Sequence, residues 1–271
     1  MTIFELVGWG LGISLAYMTC VWLLSLAVRN AGIVDSFWGP GFALLAATLP
    51  VIAGGPTWRS LLILGLVVVW ATRLCVHVTT RNWGRPEDWR YRSWREAAGR
   101  SFWWRSYFRV FILQGVLLVV VAAPILAVAR ATGSTAWTGL DVAGAAVWAV
   151  GFAFEAIGDR QLARFKSDPA NRGRVMDRGL WRTTRHPNYF GEAVLWWGIF
   201  LVALSVPIGY ASVVGPIAIT FLLVRVSDVR MLERGLKERR PGYEAYVRRT
   251  SSFVPWPPRR GGDDTPPAGR D

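Results

Sequence analysis

Residues 179–207 read GLWRTTRHPNYFGEAVLWWGIFLVALSVP. The first half crowds Arg182, Arg185, His186, Asn188 and Glu192 into a short space, whereas the half from Ala193 onward carries no ionisable side chain. That second half is fit for lipid, and the polar cluster stands at its mouth. The same alternation runs through the chain. Apolar runs at about 3–28, 37–53, 61–79, 110–129, 141–158, 190–206 and 208–226 are separated by segments rich in arginine. A helix needs ~20 residues to cross a hydrocarbon core of ~30 Å, which these runs approach. The expected fold class is all-α: a polytopic membrane protein with seven transmembrane helices.

Composition points the same way. The chain is 52% hydrophobic yet carries a net charge of +13, a pairing that soluble domains seldom show. Many of the 16 tryptophans sit near the ends of the apolar runs, as in an interfacial aromatic belt. Cys20 and Cys75 lie inside apolar runs without metal spacing and are expected to be small buried hydrophobes. The first run lacks a basic leader and a small-residue cleavage site, so it is expected to be a retained span.

Arginine and lysine orient the chain. Blocks 80–109, 159–189 and 227–271 are strongly basic, while connections near 54–60, 130–140 and 207–210 hold one arginine or none. Seven spans place the three basic blocks on one side. The positive-inside rule makes that side cytoplasmic, with the N-terminus outside and the C-terminus in the cytoplasm. Residues 1–256 read as a single membrane domain. The tail 257–271, rich in Pro, Gly and charge, is expected to be disordered.

Residues 155–192, EAIGDRQLARFKSDPANRGRVMDRGLWRTTRHPNYFGE, gather Asp159, Lys166, Arg174, Arg185, His186, Asn188 and Glu192 near the ends of two spans. Guanidinium forks suit phosphate. Asp, Asn and Glu suit ribose hydroxyls and amides. Together they suit a nucleotide cofactor with several phosphates; anionic lipid accounts for arginine alone. His186 precedes a proline and is pushed out of the helical region, so the sixth helix is expected to start at or after Pro187. Asn188 and Glu192 are four apart and share a face at its start.

Three further stretches carry mixed chemistry. In RNAGIVDSFWGPGF (29–42), Asp35 stands beside Trp38 at the entrance to the second span. It either caps that helix, which the residues alone favour, or serves as a proton donor in an apolar cavity. TRNWGRPEDWRYRSWRE (80–96) combines Asn82, Arg85, Glu87, Asp88 and Tyr91, more than a topology signal needs. Tyr243 and Tyr246 share a helix face, placed either to stack on a planar ring or to lie at the interface. The chain has no GxGxxG after a strand, no GxxxxGK[ST], no HExxH and no GxSxG. Soluble nucleotide folds, a catalytic metal and a serine triad are therefore not expected.

The stretch 179–192, the later RPGYEAYVRRTSSFVPW (240–256) and the early IVDSFWG (33–39) together resemble the steroid 5-alpha-reductase family, in particular its bacterial seven-span branch. The resemblance covers about 29–256. It implies NADPH as cofactor and reduction of a carbon–carbon double bond conjugated to a ketone, typically in a 3-oxo-4-ene steroid. Hydride reaches the beta carbon while an acid pair polarises the ketone oxygen. The resemblance implies cofactor contacts at Asp159, Lys166, Arg174, Asn188, Glu192 and Tyr246, and at Asn82, Gly84 and Arg85; Arg185 and His186 join them from the cluster. Two positions depart from the family. Its acid pair is a glutamate in span two and a tyrosine in span three; here the nearest carboxylate is Asp35 and the span-three position falls on Trp70, with Tyr91 in the following loop. Asp35, Tyr91 and Trp38 are thus the candidates at the substrate end. The expected partners are membrane lipid and a lipophilic enone or steroid, not nucleic acid. The expected location is a bacterial inner membrane, with the cofactor site on the cytoplasmic side.

The element RHPxYxGE followed by Tyr-x-x-Tyr also resembles isoprenylcysteine carboxyl methyltransferases, which use S-adenosylmethionine. That cofactor has no phosphate to reward Lys166, Arg174, Arg185 and the arginines of 80–109, whereas the 2'-phosphate of NADPH does. A non-enzymatic lipid or sterol carrier is a third reading; it leaves the nucleotide-like cluster unexplained.

Overall fold

The computed structural model describes residues 1–131, 136–226 and 241–259, and these form helices with no β-strand among them. Helix α1 (Ile3–Ala27) opens on a capping box: Thr2 Oγ1 accepts from the Glu5 N–H, and the Glu5 carboxylate accepts from the Thr2 N–H. Two amide donors that the helix leaves unpaired are thereby satisfied. A 3-10 turn (Ala31–Ile33) leads into α2 (Val34–Ile52), followed by α3 (Trp58–Asn82) and α4 (Trp89–Ala98). Then come α5 (Phe102–Ser106), a π-helical stretch (Tyr107–Ile112), α6 (Leu113–Val121), α7 (Ala123–Arg130) and α8 (Gly139–Ser167). The chain continues through α9 (Pro187–Ala203), α10 (Val214–Phe221) with a π-helical end (Leu222–Val226), and α11 (Tyr243–Arg249).

Five segments are long and apolar enough to cross a bilayer: Ile3–Ala27, Ala31–Ile52, Trp58–Asn82, Trp89–Val121 and Gly139–Ser167. The chain is an all-helical integral membrane protein. The last two expected runs coincide with shorter helices, α9 with 17 residues and the apolar helix Gly209–Arg225. Helix α9 starts at Pro187, as the His-Pro pair predicts.

The fourth run is displaced from its expected position at 110–129. Its helix reaches back to Phe102 and ends at Val121, with Ala122 at ψ 6 and Pro124 in the first turn of α7. Proline has no N–H to continue the ladder, and its ring excludes the helical carbonyl before it. From Phe102 to Val121 the helix covers about 30 Å at ~1.5 Å per residue, one hydrocarbon thickness. The segment before it also differs from expectation, since Tyr91 stands in the first turn of helix α4 instead of in a loop.

The chain forms two compact units: Met1–Ala146 with Gly198–Ala218, and Val147–Trp197 with Ile219–Asp271. The part of the third basic block at 227–240, and the expected disordered tail from residue 260 onward, lie outside the described residues. In the first unit α2 lies along α3, and α1 packs on α2, α6 and the π-helical stretch. Ser14 Oγ donates to Gly115 O at 2.9 Å, and the Thr19 and Tyr107 hydroxyls meet at 3.0 Å, so α1 is tied to its neighbours by polar bonds in an apolar setting. Cys20 is exposed on α1, contrary to the buried position expected for it, while Cys75 is half-buried; both are free thiols. Trp70 is buried and packs against Phe42.

A buried ion pair also belongs to this unit. Arg59 at the start of α3 donates from Nε to Asp141 Oδ1 at 2.7 Å and from a terminal nitrogen to Oδ2 at 2.9 Å. Asp141 Oδ2 further accepts from the Thr138 N–H and hydroxyl at 2.8 and 2.9 Å, and Arg59 also reaches Ala136 O at 3.0 Å. Both carboxylate oxygens of Asp141 thus accept hydrogen bonds, the condition under which buried charge is tolerated.

In the second unit α8 and α9 meet at the glycines Gly151 and Gly191. A side chain at Gly151 would run into Gly191 O at 2.6 Å and into Leu195 N. Only a bare backbone allows so close a crossing, the device that membrane helices use where no hydrophobic force brings them together. The hairpin after α9 has a similar demand. Ile208 adopts φ 64, and a Cβ on Gly209 would strike the carbonyl of Ala203.

Candidate functional site

The end of α3 sets up the first polar cluster. Asp88 caps α4 by accepting from the Arg90 N–H at 3.0 Å, which places Arg90 and Tyr91 in the first turn. Both reach the start of α2. Tyr91 Oη donates to Asp35 Oδ1 at 3.0 Å, and Arg90 donates to Asp35 Oδ2 at 3.2 Å while its Nε bonds Asp88 at 2.9 Å. The Tyr91 ring is 5% exposed and packs edge-on against Trp94. Asp35 is therefore not a helix cap: the residue at that position is Ile33, and the Asp35 carboxylate is engaged across 55 and 56 residues of chain. The reason is register. Asp35 falls inside the first turn, where its side chain points away from the free N–H groups and toward α4. Trp38, one turn on, packs edge-on against Phe42 at 5.0 Å.

A second arm fixes the same corner. Glu87 Oε1 accepts from the Ala31 N–H at 2.7 Å, and both its oxygens accept from Arg95 at 2.9 Å. Burial pushes the Glu87 carboxyl up, but the Arg95 and Ala31 donors outweigh it and hold it below the usual carboxylate range. Its contribution to stability is thus full above the unfolded value of ~4.3 and is lost as pH falls through the lower folded value. Thermal unfolding between pH 7 and pH 3 should therefore show a steeper acid loss in the wild type than in Glu87→Gln, which starts less stable. Equal slopes would remove Glu87 from this role.

The second unit holds a clasp between 181–186 and 246–256. Thr184 Oγ1 donates to Phe253 O at 2.7 Å, the Arg185 N–H to Ser251 O at 2.9 Å, and the Trp256 N–H to Thr183 O at 3.0 Å. The Arg185 guanidinium donates to Val247 O and Thr250 O at 3.2 and 2.7 Å, at the carbonyl end of α11 where a cation is favoured. Tyr246, 3% exposed, donates to Trp181 O at 2.6 Å. Burial pushes its phenol well above the usual value, so it remains a donor. Arg249 pairs with Asp177, and Trp181 Nε1 donates to Gly158 O at 2.9 Å.

The structure thus sorts the predicted residues. Asp35, Tyr91 and Trp38 lie in the first unit, with the first two in direct contact. Asn82, the last residue of α3, and Arg85, in the segment after it, belong to the same unit and are exposed. Asp159, Lys166, Arg174, Arg185, His186, Asn188, Glu192 and Tyr246 lie in the second. Lys166 and Arg174 are exposed and Asp159 is buried. His186 is buried and stacks on Tyr189 at 5.5 Å. Arg185 and Tyr246 bind this chain's own carbonyls, a holding role that residue type alone did not disclose. Arg90 was not singled out from the sequence, although the Asp88 cap directly before it is a readable signal that it opens a helix.

No curated protein and no solved structure matches this chain. A family model described as protein of unknown function (DUF1295) matches residues 21–250. That span includes the first polar cluster, the clasp up to Thr250 and most of the helices, and the chain therefore belongs to the DUF1295 family, which is related to steroid 5-alpha-reductase-like proteins.

Proposed function

We propose that this protein is an NADPH-dependent reductase of lipophilic enones such as 3-oxo-4-ene steroids. The observation that carries the reading is the contact of Tyr91 with Asp35, a phenol and a carboxylate brought together beside an arginine at the end of an apolar bundle. In this reading Tyr91 is the donor to the substrate ketone oxygen, where negative charge develops as the enolate forms. The phenol has one O–H, so in this reading it leaves Asp35 for the ketone oxygen when substrate binds; Asp35, held by Arg90, is a positioning residue that keeps the Tyr91 side chain at this end. Trp38 contributes apolar wall at the same end.

The residue types suit that cofactor. Exposed Lys166 and Arg174 supply cations suited to phosphate, and Asp159, Asn188 and Glu192 supply acceptors and an amide for the sugar and base. Bound NADPH supplies the hydride that reaches the beta carbon. The proposal includes α9 and Gly209–Arg225 as sixth and seventh crossings, a cytoplasmic cofactor side and a bacterial inner-membrane location. The basic blocks support that orientation.

Thermal unfolding of the detergent-purified protein with NADPH, NADH and S-adenosylmethionine tests this. At 100 times its Kd, a ligand of the native state alone stabilises by about 2.7 kcal/mol. A rise with NADPH that exceeds that with NADH is the expected result. A rise with S-adenosylmethionine alone would replace the reductase by a methyltransferase.

A further inference from the structure

Where α4 gives way to α5 the chain forms an open groove of about 400 Å³. Gly99, at φ 52, ends α4 and turns the chain, and the next helix rises from Phe102. The groove is lined by Trp94 and Ala98 of α4, Phe102 and Arg105 of α5, and Phe108 and Arg109 of the π-helical stretch. No carboxylate contributes to the lining. Arg109 lies 4.6 Å over the Trp94 ring and Arg105 lies 5.5 Å from the Trp104 ring. Both guanidiniums are exposed, and among the described residues neither has a hydrogen bond or ion pair to the protein. Arg90 and Arg95, by contrast, are engaged by carboxylates.

We propose that this groove binds one anionic phospholipid, with Arg105 and Arg109 holding the phosphate and the apolar floor holding the start of an acyl chain. The location fits that occupant. Counting back from Val121, one hydrocarbon thickness of helix ends at about Phe102, so the groove stands at headgroup depth. Exposed Trp104 and Phe108 line it and exposed Trp103 precedes them in the chain, the aromatic girdle of a membrane interface. Guanidiniums that stack on rings but have no acceptor from the protein at that depth are satisfied by lipid phosphate, and the missing carboxylates leave no competing acceptor. A zwitterionic lipid brings its own cation to the site and is bound less well. The π-helical turn widens the helix here and carries Phe108 and Arg109 to the rim. The inference is independent of the reductase reading.

Full-length protein in neutral detergent is titrated with short-chain phosphatidylglycerol, phosphatidylcholine of equal chain length, and inorganic phosphate. Native mass spectrometry and the thermal unfolding midpoint provide the readouts. Phosphatidylglycerol is expected to bind one to one and to raise the midpoint, with little effect from the other two. R105Q/R109Q should weaken it by roughly 30-fold and R109Q alone by roughly fivefold, whereas R105K/R109K should retain it. The single variant serves if the double one fails to fold. Equal binding of phosphatidylcholine, equal stabilisation by inorganic phosphate, or undiminished phosphatidylglycerol binding by R109Q overturns the proposal.

Discussion

Replacing Tyr91 with phenylalanine is expected to lower kcat for a 3-oxo-4-ene substrate by about 10²–10³-fold. Phenylalanine keeps the ring that packs on Trp94, so the fold around α4 is preserved. What disappears is one O–H. In the free protein that O–H donates to Asp35, and its loss there costs about 1.5–3 kcal/mol, because the acceptor is charged. In the reaction the loss is of a donor to an oxygen that gains charge only on the way to the enolate, so it acts on kcat and not on KM. Stabilisation by NADPH should be unchanged. Asp35→Asn keeps an acceptor for Tyr91 while losing the pairing with Arg90, and a smaller loss is expected. Steady-state kinetics on the purified variants separates these cases; a Tyr91→Phe kcat within threefold of wild type would place the acid elsewhere.

Replacing Arg59 with methionine is expected to destabilise the protein by about 3–5 kcal/mol. Arg59 is 1% exposed and Asp141 0%, so the substitution strands a carboxylate where water does not reach. The two Thr138 donors remain but carry no full charge to match it. The double variant Arg59→Met/Asp141→Leu removes both charges and should recover most of the loss, since a buried pair contributes less than the cost of breaking it. The thermal unfolding midpoint in detergent measures both. Turnover should be unaffected in folded protein, because Arg59 opens α3 and the cluster at Tyr91 follows its other end, ~35 Å away along the axis. A single variant as stable as wild type would mean that Asp141 is not held as described.

Much of the fold could be read from runs of side chains. Each apolar run is helical over most of its length, the fourth with a break at Ala122, and the start of α9 follows from the backbone restriction that Pro187 imposes on His186. The fourth helix shifted toward its N-terminus, because the reading of hydropathy stopped at Arg105 and Arg109. Arginine side chains reach outward to headgroups from inside the helix end, so charge marked the interface and not the helix boundary. The site was legible in half. Asp35 and Tyr91 both stand out in the sequence, one as a helix cap or a proton donor and the other as a loop residue. Arg185 reads as a cofactor contact from its chemistry and Tyr246 from the family resemblance, and their bonds to the chain's own carbonyls become visible only when α11 is placed.

The sequence by itself determined the class: apolar runs of bilayer length, with arginine between them, leave the helical membrane protein as the solution that satisfies its own backbone in lipid. That is a local property, readable one run at a time. Only the tertiary structure decided which polar groups meet. Asp35 found Tyr91 across 56 residues and Arg59 found Asp141 across 82. Residue type states what a side chain can donate or accept. Which partner it takes depends on how distant helices pack, and that packing turns on contacts such as Gly151 against Gly191, where the absence of a side chain is what matters.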